Sequence, residues 1–460
     1  MFARVVGGLL CRCLGEFFGY SAPLHCSAKL PLLAVARHSE FQSIRGMHDL
    51  LPPESERWQL LIETFRTQLG RCGYQFLATP VVEQLEVFAR LGEGTDVVTK
   101  EMYTFEDRDG QALALRPEST AGAARSFIQH RPTPPWKVWY FSQHFRYERP
   151  QAGRYRQHHQ LGAECFGPGD GDIDVELIVA LWDFYQALGL RRIRLELNSI
   201  GEPATRARYS ERLQAYLGDR VDQLDPADRV KIEEHPFRVL DSKRPQTQAA
   251  LVGIPTLVEE LTPDEATRFA RVCDGLAAAG VPFEVNPRLV RGLDYYTHTV
   301  FEIISEAIDA AQSTIGGGGR YDGLVEALGG PATPGFGFGT GVERVLLACD
   351  AEGVFGQPAP SLTAFVVEFG GDGSEARDLC LSLRRMGFSV DRAPGKSPKS
   401  QMKAADRSGA EFAVILGSDE LRDGTVTLRP LRSELEQMVI PRAELAERLR
   451  RASTIATDLV

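Results

Sequence analysis

The chain has 460 residues, 43% of them hydrophobic and 25% charged, with eight cysteines and a formal net charge of −10. That length and apolar fraction exclude a disordered chain or a disulfide-stapled mini-protein, and at about 100–200 residues per domain they allow two to four domains. No apolar run approaches the roughly 18–20 residues of a membrane-spanning helix. The acidic balance argues against a protein that coats nucleic acid nonspecifically, but leaves local basic patches open. The cysteines are too scattered for a disulfide framework or a zinc site, which fits a reducing cytoplasm.

Residues 1–43 are acid-poor and carry Cys11, Cys13 and Cys26. They read as a poorly ordered tail, or a start assigned too far upstream, in preference to an organelle-targeting leader, because no amphipathic stripe or cleavage pattern is present. Asp49, Pro52, Pro53 and Glu54 then precede Trp58, Leu61, Ile62, Phe65 and Leu69, a helix start followed by an amphipathic helix. Gly73 ends it, and a strand is predicted to Val82, with Pro80 at an edge or interface position. Further strands are predicted at Met102–Phe105, Ala112–Arg116, Val138–Arg146, Gln157–Cys165 and Arg192–Asn198, with helices over Ser119–His130 and Asp174–Leu188. Hairpin-like turns between strands favour an α+β fold with a largely antiparallel sheet. Residues 202–281 read as a helical insertion, after which Phe283–Val285 and Val300–Ile304 resume the sheet. Beyond the linker Pro358-Ala359-Pro360, an alternating pattern (Thr363–Phe369, Glu375–Met386, Ser389–Arg392, Ser400–Ser408, Phe412–Leu416) predicts a separate α/β domain over 362–460.

Three motifs are decoys. Gly395-Lys396-Ser397 lacks the first glycine of a phosphate loop, since Val390 stands there, and Pro398 is expected to break the helix such a loop needs. Gly335–Gly341 gives no G-x-G-x-x-G register, so its glycines are read as allowing close packing or a ligand's approach. Cys11, Cys13, His25 and Cys26 have no ordered scaffold around them for a metal.

The densest chemistry lies in Phe145–Glu164, a strand, a glycine turn and a strand in which Arg146, Arg149, Arg154 and Arg156 face only Glu148 and Glu164. Guanidinium forks alternating along a strand suit phosphate oxygens. Phe145-Arg146-x-Glu148 resembles motif 2 of class II aminoacyl-tRNA synthetases, Gly337-x-Gly339-x-Gly341-x-Glu343-Arg344 resembles motif 3, and Gly73–Val82 resembles motif 1. Leu289–Thr297, Leu115–Thr120 and Gly318–Gly323 resemble boxes particular to the histidyl-tRNA synthetases, bacterial type, over about residues 44–460.

The resemblance implies a class II catalytic domain over 44–361, a C-terminal anticodon-binding domain and a homodimer built on motif 1. It implies that ATP and L-histidine form an adenylate, whose histidyl group passes to histidine tRNA. Arg146 and Arg291 would be catalytic. Arg146, Glu148 and Arg344 would bind ATP, and Mg²⁺ would accompany it with carboxylates such as Glu148 as partners. Glu118, Thr120 and Gln160 would hold the amino group of histidine, and Glu164, Tyr295 and Tyr296 its imidazole. Ser119, Arg146 and Arg291 would complete that pocket, with Tyr321 closing it. Arg149 and Gln151 would meet the tRNA acceptor end, and the insertion would lean on the acceptor stem.

Residues 362–460 hold as many acids as bases, so the net −10 falls on residues 1–361. Within them Arg384, Arg385, Arg392, Lys396, Lys399, Lys403 and Arg407 outnumber Asp391 and Asp406, a local basic face for tRNA. The main rival is a regulatory subunit of ATP phosphoribosyltransferase, which shares the fold. Such paralogues usually lack the anticodon-binding domain and an intact Arg-Gly-Leu-Asp-Tyr-Tyr box.

Overall fold

The structure, a computed structural model, describes residues 41–90, 100–233, 235–240, 242–291, 295–308, 313–358, 362–433 and 435–457. The leader-or-tail question, the Cys11–Cys26 cluster and Gly292–Asp294 lie outside the described residues.

Helix α1 (Glu54–Arg71) buries Trp58, Leu61, Phe65 and Leu69 at helical spacing and places Glu54 and Glu56 in its first turn, where the helix dipole favours anions. Gly73 follows at φ 81°, a left-handed stop that a side chain would strain. The strand predicted to Val82 is split into β1 (Gln75–Phe76) and β2 (Val82–Gln84). Pro80 has no N–H for a ladder, and the chain leaves the sheet around it.

Helix α2 (Leu85–Ala89), β3 (Tyr103–Glu106) and β4 (Ala112–Leu115) come next, and β2, β4 and β3 form a small side sheet. Then follow α3 (Thr120–His130), β5 (Trp136–Phe145), β6 (Gln157–Phe166), α4 (Asp172–Ala187) and β7 (Ile193–Ser199). All elements expected between Met102 and Asn198 are present, with ends displaced by no more than two residues.

From Pro203 to Ala278 the described residues form helices and turns: α5 (Pro203–Gly218), α6 (Pro226–Arg229), α7 (Phe237–Leu240), α8 (Pro245–Ala250) and α9 (Pro263–Ala278). A capping box between Thr262 and Glu265 starts α9, and Glu265 also accepts from Glu202 N and Thr205 Oγ1, which ties α9 to the start of α5.

The chain returns through β8 (Phe283–Val285), β9 (Thr297–Ser305), β10 (Thr314–Arg320), α10 (Leu324–Ala327), β11 (Gly335–Gly341) and α11 (Val342–Glu352). The main sheet has the order β1-β5-β6-β11-β10-β9-β7-β8, antiparallel except for the parallel pairs at its two ends. One face carries Trp139, Leu161, Phe301, Phe336 and Phe338 into a core shared with α1, α4, α9 and α11.

After residue 361 come β12 (Ala364–Glu368), α12 (Ser374–Arg385), β13 (Val390–Arg392), α13 (Pro398–Arg407), β14 (Phe412–Leu416), α14 (Ser418–Asp423), β15 (Thr425–Pro430), β16 (Met438–Pro441) and α15 (Leu445–Thr457). They build a five-stranded sheet, β13-β12-β14-β15-β16, over its own core of Val366, Leu379, Leu383 and Val414. Pro398 does not break a helix here. It opens α13 at the first position, where its missing N–H costs nothing. Among the described residues no helix is long and apolar enough to cross a membrane.

Candidate active site

The second face of the main sheet holds the chemistry. Tyr140, Ser142 and His144 of β5 pair with Gly162, Gln160 and His158 of β6, so all six project to one side. Glu164, Gly162 and Gln160 pair in turn with Gly337, Gly339 and Gly341 of β11, and Gly337 and Gly339 with Gly319 and Gly317 of β10. Six glycines thus floor a trough across which neighbouring side chains lie. A Cβ on Gly337 would collide with the Glu164 carboxylate and come within 2.8 Å of Ala163 O. One on Gly317 would stand 2.8 Å from the Arg291 guanidinium, and one on Gly339 2.9 Å from Gln160 Oε1. These glycines serve the close approach expected of them, and they do so as strands.

At one end of the trough, Glu164 is fully buried. Its carboxylate accepts from Thr120 Oγ1 at 2.7 Å, from the Tyr140 hydroxyl at 3.1 Å and from the Tyr321 hydroxyl. Burial pushes its pKa up to about 8, against the pull of the three hydroxyls. Glu118, also buried, accepts from the backbone N–H groups of Thr120 and Ala121 at the start of α3 (2.6 and 2.9 Å), and burial raises its pKa as well. Ser119 Oγ lies 2.7 Å from His144 Nε2. Tyr295 and Tyr296 contact each other at 4.6 Å between ring centroids, and Tyr295 meets Tyr321 edge-on at 5.9 Å. The histidine-pocket candidates Glu118, Ser119, Thr120, Glu164, Tyr295, Tyr296 and Tyr321 are therefore neighbours, joined to Tyr140, which the sequence reading missed.

Towards the other end opens a cleft of about 480 Å³ lined by Arg146, Glu148, His158, Gln160, Arg291, Glu302, Glu343 and Arg344, with the glycines as its floor. Arg146 donates from Nε to Pro117 O at 3.0 Å, and Arg344 donates to Gly153 O and Thr314 O at 2.9 and 3.0 Å. Arg291 is ion-paired with Glu302, which also accepts from Thr314 Oγ1 at 2.9 Å. Burial works against the Arg291 cation, but Glu302 outweighs it and holds the guanidinium charged. Among the described residues Arg291 Nε is a buried donor with no partner, a deficit that costs about 1–3 kcal/mol unless a ligand meets it. His158 is pushed down to about 3 by burial and by Arg146, so it is neutral at physiological pH.

Glu148 is paired with Arg154, Glu302 with Arg291, and Glu343 with His159 Nδ1 at 2.9 Å. Among the described residues no group of three His, Cys, Asp or Glu could hold a metal ion. The carboxylates present fit a magnesium ion held chiefly by phosphate and water, since that ion needs only one or two carboxylates. Arg149 and Gln151 stand apart, exposed on a turn closed by reciprocal backbone bonds between Gln151 and Arg154 (3.0 and 2.9 Å).

Strand periodicity could have found Tyr140 and His144. They occupy positions of one face of β5, on the same alternation as Val138 and Ser142, opposite the Gly162 and His158 of the arginine-rich segment. Glu302 had no comparable signal, because its role depends on Arg291 crossing two strands.

Comparison with known proteins agrees with this geometry. Residues 46–345 match the family model of histidyl-tRNA synthetase, and residues 364–452 match that of an anticodon binding domain. The chain is 46% identical to the histidine–tRNA ligase of Synechococcus sp. (strain WH7803) over 421 residues, 89% of this chain and 95% of that one. It is 44% identical to the histidine–tRNA ligase of Geobacillus kaustophilus (strain HTA426) over 414 residues, 88% of this chain and 97% of the other. The crystal structure of apo S. aureus histidyl-tRNA synthetase superposes with a TM-score of 0.75 at 31% identity, covering 89% of this chain and all of that one. The chain belongs to the histidyl-tRNA synthetase family.

Proposed function

We propose that the chain is a histidine–tRNA ligase whose glycine-floored trough holds histidine at its Glu164 end and ATP at its arginine end. A carboxylate oxygen of histidine attacks the α-phosphorus of ATP, the bond to the β-phosphate oxygen breaks, and pyrophosphate leaves. A ribose hydroxyl of the tRNA's terminal adenosine then attacks the histidyl carbonyl and AMP leaves. The observation that carries this reading is the junction of two environments: a buried carboxyl ringed by three hydroxyls beside a cleft walled by Arg146, Arg291 and Arg344.

Glu164 keeps acceptor capacity for an imidazole N–H, which a carboxyl retains even when it carries its proton. Glu118, Thr120 and Gln160 face the amino group. Arg291, whose Nε has no partner among the described residues, faces the carboxylate and α-phosphate, Arg146 the α-phosphate, and Arg344 the outer phosphates and adenine. Arginines fixed in advance by carbonyls and Glu302 stabilise developing phosphate charge without reorganising, a large term in phosphoryl chemistry. Mg²⁺ would supply further charge neutralisation on the phosphates, with Glu148 or Glu302 as a carboxylate partner.

Arg149 and Gln151, exposed on their turn, and the basic face of α13 are the proposed tRNA contacts. Exposed Phe76, Val81 and Val82 support a homodimer covering that edge. Among the described residues Cys72, Cys165, Cys273, Cys349 and Cys380 are free thiols, which fits the cytoplasm. Histidine-dependent exchange of labelled pyrophosphate into ATP tests the reading, which fails if histidine stimulates no exchange.

A further inference from the structure

Arg116 stands outside the trough, 5% exposed, and among the described residues no carboxylate lies within ion-pair distance of it. A buried guanidinium with only neutral hydrogen-bond partners is costly, and burial pulls its pKa down. Its hydrogen bonds show what it holds. Nη1 donates to Thr79 O at 2.8 Å, with Thr79 Oγ1 at 3.2 Å and Pro80 O at 3.4 Å, while Nε donates to Gln143 O at 2.8 Å. Its backbone N–H donates to Val81 O, and its carbonyl accepts from Phe145 N, both at 3.0 Å. Arg116 therefore bolts the Thr79–Val81 segment, which Pro80 keeps out of any ladder, to the end of β5 just before Arg146.

The next residue, Pro117, offers the carbonyl that accepts from Arg146 Nε at 3.0 Å, and the one after is Glu118, bound at the start of α3. The side chain of Arg116 thus ties down the strand end that carries Arg146, and its backbone leads directly into the carbonyl that aims it. We propose that Arg116 is a positioning residue, which sets Arg146 for the α-phosphate through Pro117 and the end of β5. This rests on the proposed ligase reading, in which Arg146 acts on that phosphate.

Lysine at position 116 keeps the charge but cannot span the carbonyls of Thr79 and Gln143 together, because its donors sit on one atom. The test measures histidine-dependent pyrophosphate exchange for wild type, Arg116→Lys, Arg146→Ala and the double variant, with thermal unfolding of each as a folding control. Arg116→Ala is avoided because it would leave the carbonyls bare. Arg116→Lys is expected to lower kcat about tenfold with KM for ATP and histidine within about threefold, and to cost less than about twofold once Arg146 is already alanine. An equal loss in both backgrounds, or a raised KM with kcat intact, overturns the proposal. Absence of exchange in the wild type would instead overturn the ligase reading itself.

Discussion

Arg291 and Glu164 make opposite demands on one trough: a cation kept charged by a carboxylate, and a carboxyl that burial drives towards its neutral form. Replacing Arg291 with alanine removes a donor whose Nε has no partner among the described residues, but it also takes the cation from Glu302, so the substitution is made together with Glu302→Gln to leave no unpaired charge in the trough. Adenylate formation should fall by about two orders of magnitude or more, while thermal unfolding stays near wild type. Near-normal adenylate formation in that variant would remove Arg291 from the chemistry. Glu164 predicts a pH effect on the free protein. Its ordinary pKa is about 4.3 and its folded value about 8, so the native state favours the protonated group. That contribution is complete below about pH 4 and is lost as pH rises towards 8. Glu164→Gln, neutral throughout, should therefore lose less thermal stability than wild type between pH 6 and 8.5. Parallel losses in the two proteins would contradict the shift. Most of these residues were legible as letters at family spacing, but their partners were not. Tyr140 acquires its role when β5 pairs with β6 and sets it against Glu164, and Glu302 when Arg291 and Thr314 are brought against it.

The strands β10 and β11 owe their function to missing side chains. Periodicity cannot find a strand such as Gly316–Gly319, because alternation needs side chains to alternate, and Gly335–Gly341 reads equally well as a loop. The same absence makes a sharp prediction within β11. Gly337→Ala would drive a methyl into Glu164 and Ala163 O, whereas a Cβ on Gly341 would meet nothing nearer than 3.9 Å. Overpacking of the first kind costs about 1–3 kcal/mol or more. Gly337→Ala should lower the unfolding temperature and raise KM for histidine well beyond any effect of Gly341→Ala. Similar behaviour in the two variants would refute the glycine floor. Pro80 shows the converse failure: the apolar letters around it read as one strand, but the missing N–H divides the segment and leaves carbonyls for Arg116 to satisfy.

Across the whole molecule, the alternating pattern after Pro360 matches β12 to β14 and the helices between them, but it did not extend to α14, β15, β16 and α15. On α13, Lys399, Lys403 and Arg407 are exposed, and among the described residues no ion pair engages them. Reversing all three to glutamate should cut the efficiency of tRNA charging by roughly tenfold or more, with a shallower salt dependence. Pyrophosphate exchange, which needs no anticodon contact, should be unchanged. A parallel loss of exchange would show that this face supports the catalytic core and not the tRNA.

The most direct measurement is exchange of labelled pyrophosphate into ATP with each of the twenty amino acids in turn, without and then with tRNA. Exchange stimulated by histidine alone is the predicted result, because Glu164 and its hydroxyls match an imidazole N–H while the arginines receive the phosphates. Silence with histidine in a folded protein that still binds it would contradict the account and favour a binding paralogue of the same fold.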